Sequence, residues 1–176
     1  MRFEAKHRIA GSLDEVERAM LDPRYTEFLL QHHGVLLEAQ ALDVKDLGDK
    51  VQRRIRYRPK PVIKSVGPKE IPPEWFAFVE SSTYDKKRRE LVFQNIPTSN
   101  SISNMLVNTG TLRFRDAGNG QTERIAEGEI KIKVPFLLKP LAVIAEKIIQ
   151  SEGMKILDGE VPVLNRFIQE VVRKAA

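Results

Sequence analysis

The stretch "AEKIIQSEGMKILDGEVPVLNRFIQEVV", residues 145–172, decides the fold of this chain. Its apolar residues recur at the spacing of one helix face, with further apolar residues widening the stripe. The residues nearest the centre of that face are Ala145, Ile149, Ile156, Val163, Phe167 and Val171. The pattern predicts one long amphipathic helix near the C-terminal end of the sequence.

The predicted helix contains three residues that do not suit an ordinary long helix: Gly153, Gly159 and Pro162. Pro162 lacks a backbone donor and should kink the helix. Two explanations need no function: a break into two helices, or close packing of the glycines on a sheet. A kink with a functional role is the alternative, and the sequence leaves all three open.

The sequence ahead of this helix alternates with a period of two, which is typical of half-buried strands. In "RFEAKHRI", residues 2–9, Phe3, Ala5, His7 and Ile9 share one face. Hairpin signals at "LGDK", "DKK" and "DAGNG" join most of the later strands, so the sheet should be antiparallel. Six further strands are predicted, at residues 35–44, 51–58, 75–84, 88–96, 104–115 and 122–134.

Two short helices follow the first strand. Ser12 and Glu15 form a capping box ahead of the first, while Pro23 begins the second and Gly34 ends it. We therefore predict an α+β helix-grip fold, in which a curved antiparallel sheet of about seven strands wraps around the long C-terminal helix. Such a sheet and a straight helix diverge at one end, which favours a cavity. Residues 1–176 are predicted to form a single domain.

Composition excludes several classes of protein. There are no cysteines, and the charged N-terminal residues and the lack of a long apolar run predict neither a signal peptide nor a membrane span. We expect a cytoplasmic protein. The net charge of +5 permits an anionic lipid surface as a partner, although a solvated surface with a slight basic excess also explains it. With 7% aromatic residues and no basic-aromatic interleaving, nucleic acid is not expected.

Motifs for catalysis and metal binding are absent from the sequence. His7 should point inward as a buried, hydrogen-bonded histidine, while His32 and His33 are interpreted as capping residues at a helix end. The pair Asp158 and Glu160 is interpreted as part of a charged helix face. We predict no catalytic residue, no metal ligand and no cofactor.

Basic residues lie on elements that should face inward. The strand "VQRRIRYR", residues 51–58, carries arginines at both parities, so at least one guanidinium should face the cavity or its rim. Lys155 lies between Met154 and Ile156 in the long helix. A buried Arg or Lys needs an anion, and a ligand phosphate would serve. The alternative is that these side chains extend to solvent.

The loop "KPVIKSVGPKEIPPEWF", residues 60–76, combines four prolines with apolar residues. We predict a gate over the cavity mouth, and a satellite cluster packed permanently on the core is the alternative. The predicted cavity and lid residues are Val62, Ile63, Val66, Ile71, Trp75, Ile149 and Ile156.

Several segments resemble the START-like (SRPBCC, Bet v 1-like) superfamily, and among its members the PRELI-like lipid-transfer proteins. The segments are "MRFEAKHRIAGSLDEV", "RRIRYRPKPVIKSVG", "FVESSTYDKKRRELVFQNIPTSNSISNMLV" and "QSEGMKILDGEVPVLNRFI". This resemblance implies one hydrophobic cavity that extracts a phospholipid, such as phosphatidic acid or phosphatidylserine, beneath a mobile lid. It also implies head-group contacts at Arg54, Lys155 and Asn104.

The leading hypothesis from the sequence is a module that binds an anionic phospholipid, or another long apolar ligand, and carries it between membranes. It predicts transient membrane contact and identifies no protein partner. The alternative is a cyclase- or hydratase-like enzyme in the same cavity, with His7 and either Tyr57 or Tyr84 as an acid–base pair. A third hypothesis is an interaction domain with a filled core.

Overall fold

A computed structural model describes residues 1–61, 65–66, 69–70, 72–133 and 139–175 of the chain. The main strands are β1 (Arg2–Ile9), β2 (Leu36–Asp46), β3 (Lys50–Pro59), β6 (Phe78–Asp85), β7 (Glu90–Pro97), β8 (Leu106–Gly118) and β9 (Gln121–Ile132). Two short strands, β4 (Ser65–Val66) and β5 (Lys69–Glu70), pair with each other. The helices are α1 (Leu13–Leu21), α2 (Tyr25–His32), α3 (Asn100–Ser103) and α4 (Lys139–Phe167).

The seven main strands form one antiparallel sheet in the order β1-β9-β8-β7-β6-β3-β2. All seven strands predicted from the sequence are present, and the two short helices follow β1 as expected. The predicted α+β arrangement of a curved sheet, two short helices and a long C-terminal helix is confirmed.

Strand alternation gives the sheet two distinct faces. The inner face is the one that contributes Val51, Tyr84, Leu91 and Phe114 to the main core, together with Ile9 from β1. The outer face carries mainly polar residues. Side chains from α1, α2 and the C-terminal part of α4 complete this core at one end of the sheet. Because the core is concentrated at that end, the other end of the inner face is covered less fully.

The capping box of α1 is present: Ser12 Oγ accepts from the Glu15 N–H, and Glu15 Oε2 accepts from the Ser12 N–H. Arg173, beyond the end of α4, donates to Glu15 Oε1 at 2.8 Å. This hydrogen bond, helped by the cap, lowers the pKa of Glu15 to about 2. The carboxylate therefore connects the start of α1 to the C-terminal end of the chain.

The structure decides between two of the explanations for the irregular helix. Helix α4 runs without a break from Lys139 through Pro162 to Phe167, as the predicted long helix requires, so the explanation by a break into two helices is wrong. Gly159 has a packing role, because a Cβ there would lie 2.9 Å from His33 Nε2. The neighbour is the residue that ends α2 rather than the sheet. Gly153 has nothing within 4 Å of a Cβ position.

Much of the predicted gate lies outside the described residues. Val62, Ile63 and Ile71 are not described, and only the backbone of Val66 is. The described part contains the β4–β5 pair and a 3-10 turn, Pro73–Phe76, neither of which the sequence predicted. Among the helices of the described ranges, none is long and apolar enough to cross a membrane.

Two glycines lie directly opposite each other in the sheet, Gly110 on β8 and Gly128 on β9. The rings of Phe93 and Phe3 occupy the space where their side chains would be. A Cβ on Gly128 would lie 2.4 Å from Phe3 Cζ and 2.5 Å from the Thr109 carbonyl oxygen. Backbone and ring approach each other this closely only because both residues are glycine.

Gly128→Ala should lower the free energy of unfolding by about 1–3 kcal/mol, because the added methyl overpacks the sheet. Gly153→Ala is the matched control, and it should raise stability by about 0.5–1 kcal/mol because alanine is the better helix former. Urea unfolding of the two variants measures both effects. Equal stability of the two variants would contradict this packing argument.

Candidate functional site

The inner face of the central strands is only partly covered by helices in the described structure. Helix α4 packs chiefly on β1, β9 and α2. Inner-face residues near the open end, such as Phe78, Asn95, Asn108 and Leu106, stay partly exposed. The sheet and α4 therefore diverge over β6, β7 and β8, as the fold class predicts.

A set of polar side chains, which we call the polar patch, lies across this inner face. Its members are Arg53 on β3, Glu80 and Ser82 on β6, Asn95 on β7 and Asn108 on β8. They are cross-strand neighbours: Arg53 is opposite Ser82, Glu80 is opposite Asn95, and Asn95 is opposite Asn108. The patch is thus continuous across four strands.

Several atoms of the polar patch lack hydrogen-bond partners within the described part of the chain. They are Arg53 Nε, Ser82 Oγ and Asn95 Oδ1, each of them buried. Ser82 is 4% exposed. A buried polar atom without a partner costs about 1–3 kcal/mol, so native structures rarely contain three side by side. Such a cluster is typical of a site that a ligand completes.

The charges of the polar patch are not closely paired. Arg53 donates to the Met20 carbonyl at 2.7 Å, while its nearest approach to Glu80 is 3.9 Å. Burial raises the pKa of the Glu80 carboxyl, and this outweighs the lowering effect of Arg53 and Ser82. Burial also raises the pKa of Tyr57, which lies on the same face. The patch combines a cation with acidic groups that hold their protons more tightly than usual.

A second polar cluster, fully hydrogen-bonded, lies at the closed end. Arg124 on β9 is 1% exposed. It donates to Glu160 of α4, to the Leu157 carbonyl oxygen at 2.7 Å and to His7 Nδ1. With Nδ1 accepting, His7 Nε2 carries the proton and donates to Asp158 at 2.8 Å. Among the described residues, no buried side-chain atom of this cluster lacks a hydrogen-bond partner.

The predicted head-group residues are not brought together. Arg54 is exposed on the outer face of β3, opposite Ser81, because the neighbouring Arg53 takes the inward position. The Lys155 side chain is 63% exposed and bonds Glu152 at 2.7 Å, so it does have a carboxylate partner. Asn104 is exposed after α3. Their predicted contacts with a head group stay predictions.

The acid–base pairs considered from the sequence do not form in the described structure. His7 points inward as predicted, but its two ring nitrogens are engaged by Arg124 and Asp158. Tyr84 donates to Glu17 Oε2 at 2.8 Å. The interpretation of Asp158 and Glu160 as a merely charged helix face is corrected, since both bind inner-face side chains.

The remaining predicted positions lie around the open end and along α4. Trp75 is 38% exposed in the 3-10 turn. Ile149 and Ile156 are partly buried on α4, and the Ile156 carbonyl accepts a hydrogen bond from His33 Nε2 at 2.9 Å. His33 ends α2, as its capping interpretation predicted.

A shallow groove of about 950 Å³ lies on the outer face and belongs to neither polar cluster. Its lining comes mostly from outward residues of β1, β6, β7, β8 and β9, such as Thr83, Gln94, Thr109 and Thr111. Gln94 is exposed and the three threonines are partly exposed, so these side chains can hydrogen-bond to water. On the outer face, Arg56 Nε and Arg58 Nε also lack a hydrogen bond, but both lie close to the Glu38 carboxylate. We therefore assign the candidate site to the inner face, where three unpartnered atoms lie on neighbouring strands.

Structural comparison relates this architecture to known proteins. No protein-family model matches the sequence, and no curated protein matches it. The aromatase/cyclase Zhui from Streptomyces sp. R1128 is similar over 100% of this chain and 98% of its own, with a TM-score of 0.67 and 10% identity. The chain has the helix-grip fold.

Two further solved structures share the helix-grip fold. A truncated norcoclaurine synthase from Thalictrum flavum is 15% identical, with a TM-score of 0.64 over 97% of this chain and 94% of its own. TTHA0849 from Thermus thermophilus is 15% identical, with a TM-score of 0.63 over 93% of this chain and 97% of its own. At these identities the likeness concerns the fold, and the Bet v 1-like part of the predicted resemblance agrees with it.

The sequence analysis missed the polar patch, although strand periodicity carries its signal. Arg53 alternates with Val51, Ile55 and Tyr57, which places it on the apolar face of β3. Glu80 alternates in the same way with Phe78 on β6. A polar residue at a position that faces the apolar side of a strand indicates a candidate site. Arg54 was chosen because of the family resemblance, and that choice ignored which face of β3 each arginine occupies.

Glu160→Ala should lower the free energy of unfolding by about 3–5 kcal/mol, since it leaves the buried guanidinium of Arg124 without its carboxylate. Glu170→Ala is the control, because Glu170 pairs with the exposed Arg166 at i,i+4. Removing that exposed pair should leave the free energy of unfolding almost unchanged. Chemical denaturation compares the two, and a similar loss from both would contradict a structural role for the Arg124–Glu160 pair.

Proposed function

We propose that this single domain, residues 1–176, binds one elongated apolar ligand between the inner face of the sheet and α4. The observation that carries the proposal is the row of buried, unpartnered atoms Arg53 Nε, Ser82 Oγ and Asn95 Oδ1 in the described part of the chain. A polar group on the ligand would satisfy them and recover the free energy that their burial costs.

The apolar part of the ligand would lie towards the open end of the inner face. There the polar patch is followed along the strands by Tyr57, Phe78, Leu106 and Ile132, all partly exposed. These residues form what we call the rim. Each methylene buried against them would contribute about 0.8 kcal/mol. Binding would therefore cover apolar surface that the helices leave open.

We further propose that the ligand is a lipid, with an anionic phospholipid as the leading candidate, and that the protein carries it between membranes. The segments that resemble PRELI-like proteins and the net charge of +5 support this choice. In this proposal Lys155 and Asn104 meet head groups at the protein surface, as does Arg54 on the other side of the sheet. The segment 60–76 acts as the gate.

Native mass spectrometry of the purified protein, followed by lipid extraction, tests this proposal. We expect one bound apolar molecule per chain, and extraction should identify it as a phospholipid. A chain that is empty after gentle purification, and that takes up no lipid from phosphatidylserine vesicles, would contradict ligand binding. A bound apolar molecule without phosphate would contradict the phospholipid identity alone.

A second candidate function is catalysis on a hydrophobic small molecule, of the cyclase or hydratase sort. Burial raises the pKa of Glu80, which lies near Arg53 in the polar patch, and a carboxyl in such a setting can act as a general acid or base. An aromatase/cyclase and a norcoclaurine synthase share the fold. Glu80 therefore replaces His7 as the residue on which this candidate depends.

Glu80→Gln separates a carrier from an enzyme, because the amide keeps the shape of the carboxyl and loses its acid–base chemistry. The extracted natural ligand is incubated with wild type or variant and analysed by liquid chromatography with mass spectrometry. A carrier returns the ligand unchanged from both proteins. An enzyme converts it with wild type, and the variant should be slower by about a hundredfold or more.

A further inference from the structure

The polar patch lies between two apolar zones of the inner face, and this position restricts how a ligand can be oriented. On one side are Val51, Tyr84 and Leu91, which are at most 3% exposed and belong to the core. On the other side is the partly exposed rim. A ligand that reaches the patch must therefore place its polar group towards the core and leave its apolar chain towards the rim.

The core side of the patch is closed by well-packed side chains. Tyr84 lies opposite Val51 and Leu91 on the neighbouring strands, and its ring packs edge-on against Phe114. No room is left there for a substituent beyond the polar group. A phosphodiester carries organic groups on both sides of its phosphorus, so it does not suit this position. A polar group that ends the molecule does.

The electrostatics of the patch favour an anion with few charges. Arg53 is a permanent cation whose side chain is 12% exposed, and its Nε–H has no acceptor among the described residues. Its hydrogen-bonded partner, the Met20 carbonyl, is neutral, and Glu80 is 3.9 Å away. The Ser82 hydroxyl also lacks a hydrogen bond of good geometry within the same described part, although it lies close enough to Glu80 to lower the pKa of that carboxyl. The guanidinium Nε–H and the Ser82 hydroxyl together match the two oxygens of a carboxylate.

Glu80 does not oppose such a ligand as an ordinary glutamate would. The groups that face its carboxyl are Arg53 on β3, Ser82 on its own strand and Glu160 on α4. Burial raises the pKa of Glu80, and the charge of Glu160 raises it further. A protonated Glu80 beside a carboxylate donates a hydrogen bond instead of repelling it, as in carboxyl pairs that share one proton.

We infer that the polar patch holds the terminal carboxylate of an elongated apolar acid, which enters carboxylate first with its chain against the rim. This inference rests on the binding of an apolar ligand in the proposed function, and it names a terminal carboxylate in place of the phospholipid proposed there. Arg53 pairs with the carboxylate, Ser82 donates to it, and the Asn95 side chain rotates so that Nδ2–H rather than Oδ1 faces it. The same geometry disfavours an uncharged alcohol, which leaves Arg53 without a counter-ion, and a phosphodiester, which is too bulky.

Three probes with a linear chain of about twelve carbon atoms test the inference: laurate, dodecanol and dodecylphosphocholine. Each competes with the fluorescent acid cis-parinarate for the purified protein. We expect laurate to displace it at about a tenfold lower concentration than either other probe, since a charge-assisted hydrogen bond is worth at least about 1.4 kcal/mol. Arg53→Gln should remove most of this preference.

Arg56→Gln is the matched control, because it removes the same charge from the outer face of the same strand, where Arg56 pairs with Glu38, and it should keep the preference. Thermal unfolding establishes that each variant is folded. If Arg53→Gln does not fold, Ser82→Ala is used instead. It should weaken the binding of laurate several-fold and leave the binding of dodecanol unchanged. A patch variant, at Arg53 or Ser82, that keeps the wild-type preference for laurate would overturn the assignment of the patch.

The outcomes separate this inference from the proposed function. Equal displacement by all three probes, or strongest displacement by dodecylphosphocholine, would overturn the carboxylate assignment and leave apolar ligand binding intact. Failure of cis-parinarate and of all three probes to bind a protein emptied of its ligand would overturn both. Selective displacement by laurate that depends on Arg53 and not on Arg56 would support the inference and the binding of an apolar ligand, and it would count against the phospholipid identity.

Discussion

The guanidinium of Arg124 is buried between the last strand of the sheet and the last helix, and the rest of the structure depends on how it is satisfied. A buried charge is tolerated only with a counter-charge and a full set of acceptors. Glu160, the Leu157 carbonyl and His7 provide them. These contacts hold β1, β9 and α4 together at the closed end. Asp158 extends the cluster through His7.

This attachment explains why the protein is closed at one end and open at the other. The C-terminal turns of α4 pack with α1, α2 and the sheet into the main core. Further towards its N-terminal end, the helix follows β1 and β9 and leaves the central strands. Those strands carry the polar patch. A filled interaction domain would have no reason to bury Arg53 Nε and Ser82 Oγ without partners among the described residues, so these atoms favour the proposed ligand site over a filled core.

Much of the fold could be predicted from local patterns, because each pattern has a local physical cause. Period-two alternation predicted every main strand, and the capping box at Ser12 predicted the start of α1. The candidate site could not be predicted in the same way. Its residues come from four strands, and their approach depends on register, which no single segment specifies. Alternation along β3 decides whether Arg53 or Arg54 faces inward. The family resemblance pointed to Arg54, which faces outward.

The central claim is that a ligand binds on the inner face at the polar patch, and the Nε–H group of Arg53 is its most direct reporter. In a ¹⁵N-labelled protein, the side-chain cross-peak of this group is followed by NMR while laurate is added. The account predicts a downfield shift of that cross-peak, with the Nε–H of the outer-face Arg56 unchanged, because Arg53 Nε gains an acceptor only on the inner face. Binding of laurate that leaves Arg53 unaffected and shifts the outer-face residues Thr109 and Thr111 would contradict it.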